Sequence, residues 1–263
     1  MTTSRPAAVR PQGLPLRALA LAAAAASLLA LAGTWTWGRL HPTVPPAAPD
    51  RSGSDGILRR TEVAFADAQA VWHRLRGEAR YAPAVLVFFT GATGTPCAGG
   101  ATVSGPFYCP ETGTAAFDLD FLAEFGPRLQ RQGDLGLALV AARLSAEHLQ
   151  REAGVLDAAA LRMIGARRAA RAAITAELAL QADCLTGVWA AAAAARIGPV
   201  PEGFWSQLVW SWRNTVEELA ARRVRVAPEF DAFATGTQEE RAAAFARGYA
   251  AAGLDGCPAP AEG

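Results

Sequence analysis

Histidine is scarce in this chain, and that scarcity is the most restrictive fact in the sequence. Among 263 residues there are three, His41, His73 and His148, and no two of them are four apart. A helical HExxH motif is therefore excluded, since it needs two histidines one turn apart on a metal and a glutamate between them as base. Lysine is absent: every basic residue is arginine. Together with the abundance of alanine this reflects coding bias and carries no functional reading. Excess charge is missing too, with 25 basic against 24 acidic residues and a formal net charge of +1. Composition thus gives no electrostatic ground to expect nucleic acid as a partner. No CxxC pair occurs, which sets aside a cysteine-built zinc site, and no internal repeat is found.

What is present begins with an uncharged, mostly apolar run over residues 18–37, about the ~20 residues a helix needs to cross a bilayer. Arg5, Arg10 and Arg17 precede it and Arg39 alone comes closely after it, so the positive-inside rule places residues 1–17 in the cytoplasm and the rest outside. Trp35 and Trp37 suit the outer interface. A removable signal peptide is the rival reading, with Ala30-Leu31-Ala32 as a small-x-small cleavage site. The run continues past that site, which favours an anchor, and either reading exports the remainder of the chain. Residues 38–56 are rich in Pro, Gly, Ser and Asp and read as an extended linker. The folded domain is expected from Ile57, over residues 57–263. Four cysteines, Cys97, Cys109, Cys184 and Cys257, lie in this exported part. An even number in an oxidising compartment indicates two disulfides, with three pairings open.

Leu58, Phe65, Ala68, Trp72 and Leu75 recur at helical spacing, so the domain opens with an amphipathic helix. Val85–Phe89 reads as a buried strand ended by Thr90-Gly91. Residues 105–109 and 115–119 flank a Pro-Glu-Thr-Gly turn and form a hairpin. Helical spacing returns over 134–150, then over a long alanine-rich stretch at 158–197 broken once. Phe204, Leu208, Trp212, Val216 and Leu219 mark another helix, and residues 237–252 the last. The sum is α+β, mainly helical, with a small sheet.

Five stretches resemble, in order, the neutral zinc metallopeptidase family of bacterial inner membranes: AVLVFFTGATGTPCAGG (84–100), VSGPFYCPETGTAAFDLDFLAEF (103–125), LALVAARLSAEHLQREAG (137–154), LQADCLTGVWA (180–190) and FATGTQEERAAAFARGY (233–249). The single N-terminal anchor and four cysteines match as well. The resemblance implies a zincin-like fold in which two HExxH histidines and a glutamate from a later helix hold zinc, often with an aspartate four residues beyond that orients a ligand histidine. Here AARLSAEHLQ stands where the family has a pattern close to AHEVGHHVQ. Residue by residue, the first ligand position is Arg143, the base position is Leu144 and the second ligand position is Glu147. The extra histidine beside it, not a ligand in the family, is retained as His148. On the later helix the third ligand position is Ala179, whereas Asp183 is retained; a family histidine in FTHGT is Thr235. Fold-determining strings such as GPFYCP, QADC and GVWA stand intact while the positions of the chemistry differ, a pattern that implies a pseudopeptidase without zinc or other cofactor.

Blander readings weigh against several sharper ones. Glu177, two residues before Ala179, is rotated about 200° around the helix and should face away. His148 with Glu147 and Asp183 would be a candidate non-standard metal site, yet adjacent helix residues diverge by about 100°, so a core histidine is favoured. His73 reads as a surface residue. Arg162, Arg167, Arg168 and Arg171 read as a solvated helix face, with an acidic partner or lipid headgroups as the alternative. Trp205, Trp210 and Trp212 mix core with exposed positions. The expected pairing of cysteines is Cys97 with Cys109, which flank the strand-to-hairpin turn, and Cys184 with Cys257. Without a metal, a buried Asp183 needs compensation, so Arg143 is expected to bridge Asp183, Glu147 or both. The function implied is an exported binding or regulatory protein that takes an extended peptide or envelope protein in the former substrate cleft, with residues 115–119 as its edge strand. An active metallopeptidase with a substitute site and a structural component of an envelope complex are the alternatives. The location implied is the inner (cytoplasmic) membrane, crossed once.

Overall fold

The computed structural model describes residues 53–77, 81–222 and 231–257. The expected cytoplasmic tail, anchor and all but the end of the linker lie outside these residues. Helix α1 (Ser54–Arg76) opens the domain, earlier than the expected Ile57. It buries Phe65, Ala68 and Trp72 of the predicted stripe together with Val71, whereas Leu75 is 41% exposed. Strands β1 (Val85–Phe89), β2 (Thr93–Gly94), β3 (Thr102–Val103), β4 (Phe107–Cys109) and β5 (Thr114–Asp118) come next, then helix α2 (Leu119–Phe125). The remainder is helical: α3 (Gly133–Glu152), α4 (Val155–Met163), α5 (Arg168–Ile197), α6 (Phe204–Ala221) and α7 (Gln238–Ala251). The domain is α+β and mainly helical, and the long alanine-rich stretch is broken once, between α4 and α5.

Two strand expectations need correction. The order in the larger sheet is β1-β5-β4. Strand β5 is therefore central, parallel to β1 and antiparallel to β4, and residues 115–119 offer no free edge to a peptide. Strand β1 lies at an edge, with Val85 55% and Val87 41% exposed. An apolar run reads as buried on both faces, but here Leu86 and Phe88 pack toward the main core and Phe89 toward the smaller cluster around Phe107, while Val85 and Val87 face out. The predicted hairpin is β4–β5, with Phe107 opposite Ala116. Helix α2 was not legible as an element: Asp118 caps it, accepting from the backbone N of Asp120 as well as of Gly91 and Gly105.

Both disulfides have the expected partners, Cys97–Cys109 and Cys184–Cys257, each with Cα atoms 5.7 Å apart. From loop length the first contributes about 3 kcal/mol and the second about 4–5 kcal/mol. The core runs through α1, α3, α5, α6 and α7. Among the described residues one helix, α5, is long and apolar enough to cross a membrane, but it spends that surface on packing, with Ala182, Val188, Trp189, Ala190 and Ala193 buried. Helices α5 and α7 approach unusually closely. A Cβ on Gly248 would lie 1.8 Å from the carbonyl oxygen of Cys184, and one on Gly187 would lie 2.1 Å from that of Phe245. Only glycine at both crossings allows this contact, and it brings the start of α7 against Asp183.

Candidate functional site

Arg143 and Glu147 are one turn apart on α3 and share a face. That face looks across at Ala179 and Asp183, likewise one turn apart on α5. Arg143 spans the gap. Its Nε donates to Asp183 Oδ1 at 2.8 Å and its Nη1 to Glu147 Oε1 at 2.5 Å. Its Nη2 donates to the carbonyls of Ala179 at 3.4 Å and Ala232 at 3.3 Å. The bridge expected from the sequence is present on both sides.

A second cation, which the sequence pattern did not reveal, enters from α7. Arg241 Nε donates to Asp183 Oδ2 at 2.7 Å and Nη2 to Oδ1 at 2.7 Å, the two-pronged geometry that a guanidinium makes best. Its remaining donors go to the carbonyls of Thr235 at 3.1 Å and Ala232 at 3.0 Å. The Phe233 ring covers it, 4.5 Å from guanidinium carbon to centroid. Asp183, Arg241 and Arg143 are 0%, 0% and 2% exposed, so this polar cluster is sealed and its partners are internal. Two guanidinium groups face the two carboxylates of Asp183 and Glu147. Asp183 accepts three N–H bonds, which compensates a buried anion.

The protonation chemistry is set by that geometry. Burial alone would pull the Arg143 guanidinium down, but Glu147 and Asp183 outweigh it and hold it above the usual arginine range. Burial lowers Arg241 despite Asp183. At Glu147 burial pushes the carboxyl up, and Arg143 pulls it back only in part. Glu147 keeps 22% of its side chain exposed, toward a cavity of ≈ 260 Å³ lined also by Tyr108, Pro110, Leu156, Leu178 and Asp231. Asp231 is held by Trp212 Nε1 at 2.8 Å and the Phe233 backbone N at 2.9 Å, and burial raises its carboxyl. Arg213 fixes the loop after it by donating to the carbonyls of Phe233 at 3.0 Å and Gly236 at 2.7 Å.

The other marked positions divide. Leu144 is fully buried among core apolar residues. The side chain of Ala179 brings no donor atom, and Thr235 contributes its backbone carbonyl. His148 belongs to a different neighbourhood. Its Nε2 lies 2.7 Å from the Ala82 carbonyl and its Nδ1 2.8 Å from the Tyr108 hydroxyl. A carbonyl only accepts, so Nε2 carries the hydrogen, and in the neutral imidazole that burial favours Nδ1 accepts from Tyr108. Burial lowers its pKa and pushes the Tyr108 phenol up. His148 is thus a core histidine pointing away from Asp183. Glu177 faces outward to Arg162 at 2.9 Å. Trp205 and Trp212 are core, and Trp210 is 59% exposed. Among the described residues no three His, Cys, Asp or Glu side chains are gathered as a metal-holding group.

The chain belongs to the family described as "Putative neutral zinc metallopeptidase", which it matches over residues 38–259. It is similar to the uncharacterized protein YpfJ of Escherichia coli (strain K12), 28% identical over 203 residues that cover 74% of this chain and 68% of that protein. It is also similar to the uncharacterized protein Rv2575 of Mycobacterium tuberculosis (strain H37Rv), 35% identical over 147 residues, 53% of this chain and 47% of that one. No solved structure matches the chain.

Proposed function

We propose that this protein is a pseudopeptidase: a zincin-like fold whose zinc position is taken by an internal arginine–carboxylate network, exported and tethered to the membrane, binding extended polypeptide without hydrolysing it. The observation that carries the reading is Arg143, which engages Asp183 and Glu147 at once. Zinc needs three protein donors in tetrahedral disposition. The residues at hand do not fit it. Arg143 is a permanent cation and no ligand, the Ala179 side chain has no donor, and both oxygens of Asp183 are committed to guanidinium N–H groups. His148 spends both ring nitrogens elsewhere. Leu144 supplies no base.

The cavity beside Glu147 supports binding over a filled, purely structural cleft. A lining that combines Leu156 and Leu178 with Glu147 suits a side chain of an extended peptide. The run over residues 18–37 supports the tether, and two disulfides fit an oxidising compartment. The test is a peptide-library screen with the purified full chain, scored in parallel for binding and for cleavage. Binding without cleavage, lost when Leu178→Trp fills the cavity, is expected. Turnover of any peptide that stops on adding a zinc chelator overturns the reading.

A further inference from the structure

The corner between α4 and α5 combines two features that the cleft does not explain. Leu161 and Ile164 are 69% and 75% exposed, more than any other large hydrophobic residue described. They project from the end of α4 and the turn after it, where Gly165 allows the chain to reverse with φ +71°. Around them the chain is cationic: residues 158–176 contain Arg162, Arg167, Arg168 and Arg171 and no acidic residue. Arg162 is neutralised by Glu177 at 2.9 Å. Arg171 folds back to the Ala166 carbonyl at 3.2 Å, an uncharged acceptor. Arg167 and Arg168 are exposed and enter no salt bridge among the described residues.

Three guanidinium groups with no carboxylate partner among the described residues share the stretch 161–171 with two exposed aliphatic side chains. A groove would select a helix or a strand, and a rim of hydrogen-bonding side chains would select a folded partner. Exposed aliphatic side chains next to unpaired cations along the chain instead match the boundary of a bilayer, where acyl chains meet anionic headgroups. We propose that this corner docks on a lipid surface bearing anionic headgroups, with Leu161 and Ile164 entering the acyl boundary and Arg167, Arg168 and Arg171 binding phosphate. The contact is peripheral and reversible, and it orients the domain rather than anchoring it. It is independent of what happens at Arg143.

The test uses the full chain with Ile164→Cys, labelled with a polarity-sensitive dye. The labelled protein is mixed with vesicles of phosphatidylcholine alone, or of phosphatidylcholine and phosphatidylglycerol in equal parts. The expected result is a blue shift and protection from aqueous iodide with the anionic vesicles only, weakening about five-fold for each arginine removed among Arg167→Ala, Arg168→Ala and Arg171→Ala. The three Arg→Lys changes should keep the signal, which separates charge from loss of fold. A dye that stays equally open to iodide in both vesicles overturns the proposal, as does a shift indifferent to the arginines. A shift produced by polyglutamate and not by the anionic vesicles also overturns it, and would assign the corner to an acidic protein.

Discussion

Arginine plays opposite parts in two regions of this molecule. Arg143 and Arg241 are sealed in the interior, and their donors end on carboxylates or carbonyls. Arg167 and Arg168 stand in water at the α4–α5 corner with no salt bridge among the described residues. In the first region the cation is part of the fold, and removing it strands a buried anion. In the second it is available, and removing it leaves nothing unsatisfied. A residue type therefore says little until its partners are known, which is why one chain can use the same side chain as an internal counterion and as a surface contact.

The sharpest way to break this contrast is at the buried cluster. Arg143→Ala and Arg241→Ala should each destabilise the domain by about 3–5 kcal/mol in urea unfolding, since each leaves a carboxylate buried and under-compensated. The two effects should not add, because both act through Asp183. Gly248→Ala comes next, at about 1–3 kcal/mol, as its new methyl meets the backbone of Cys184 and pushes α7, with Arg241, away from α5.

A smaller effect comes from the neighbour of Glu147. The depressed pKa of His148 means that the unfolded chain, with a histidine near 6.5, takes up a proton before the folded one does. Stability is then present above that value and lost as pH falls toward the folded pKa, by at most about 1.4 kcal/mol per pH unit. Glu152 at 4.0 Å opposes the shift and Arg151 adds to it. Tyr81 and Tyr108, whose ring centroids lie 5.6 and 5.7 Å from that of His148, carry no charge in this range. Unfolding measured from pH 7 to 5 should show the wild type losing this contribution relative to His148→Gln, because the raised carboxyls of Glu147 and Asp231 act with the opposite sign in both proteins. The smallest effects belong to the surface: Arg167→Ala and Arg168→Ala should each change stability by no more than about 0.5 kcal/mol. A loss from either as large as that from Arg143→Ala would erase the distinction between the regions.

Much of the fold was legible in local pattern. Periodicity located the helices of the core, and the Pro-Glu-Thr-Gly turn located the β4–β5 hairpin. The Arg143 bridge was implied by the family resemblance, which set Asp183 opposite Arg143, together with the four-residue offset to Glu147 and an aspartate that needed a cation. Strand order was not legible, because nothing within Val85–Phe89 reports whether a neighbour lies on one side or two. Arg241 was also hidden. It comes directly after Gln238, Glu239 and Glu240, where the capping box of Thr237 and Glu240 makes the whole turn look solvated. The one available signal was stoichiometric: Asp183 has two oxygens, and Arg143 shared with Glu147 could not saturate both.

The central claim is that internal cations stand where the family holds zinc, and metal content of the purified full chain tests it most directly. After mild dialysis of protein prepared with zinc present, the wild type should hold no stoichiometric zinc, and Glu147→Ala should change nothing. Near-equimolar zinc in the wild type, lost in Glu147→Ala, would contradict the claim.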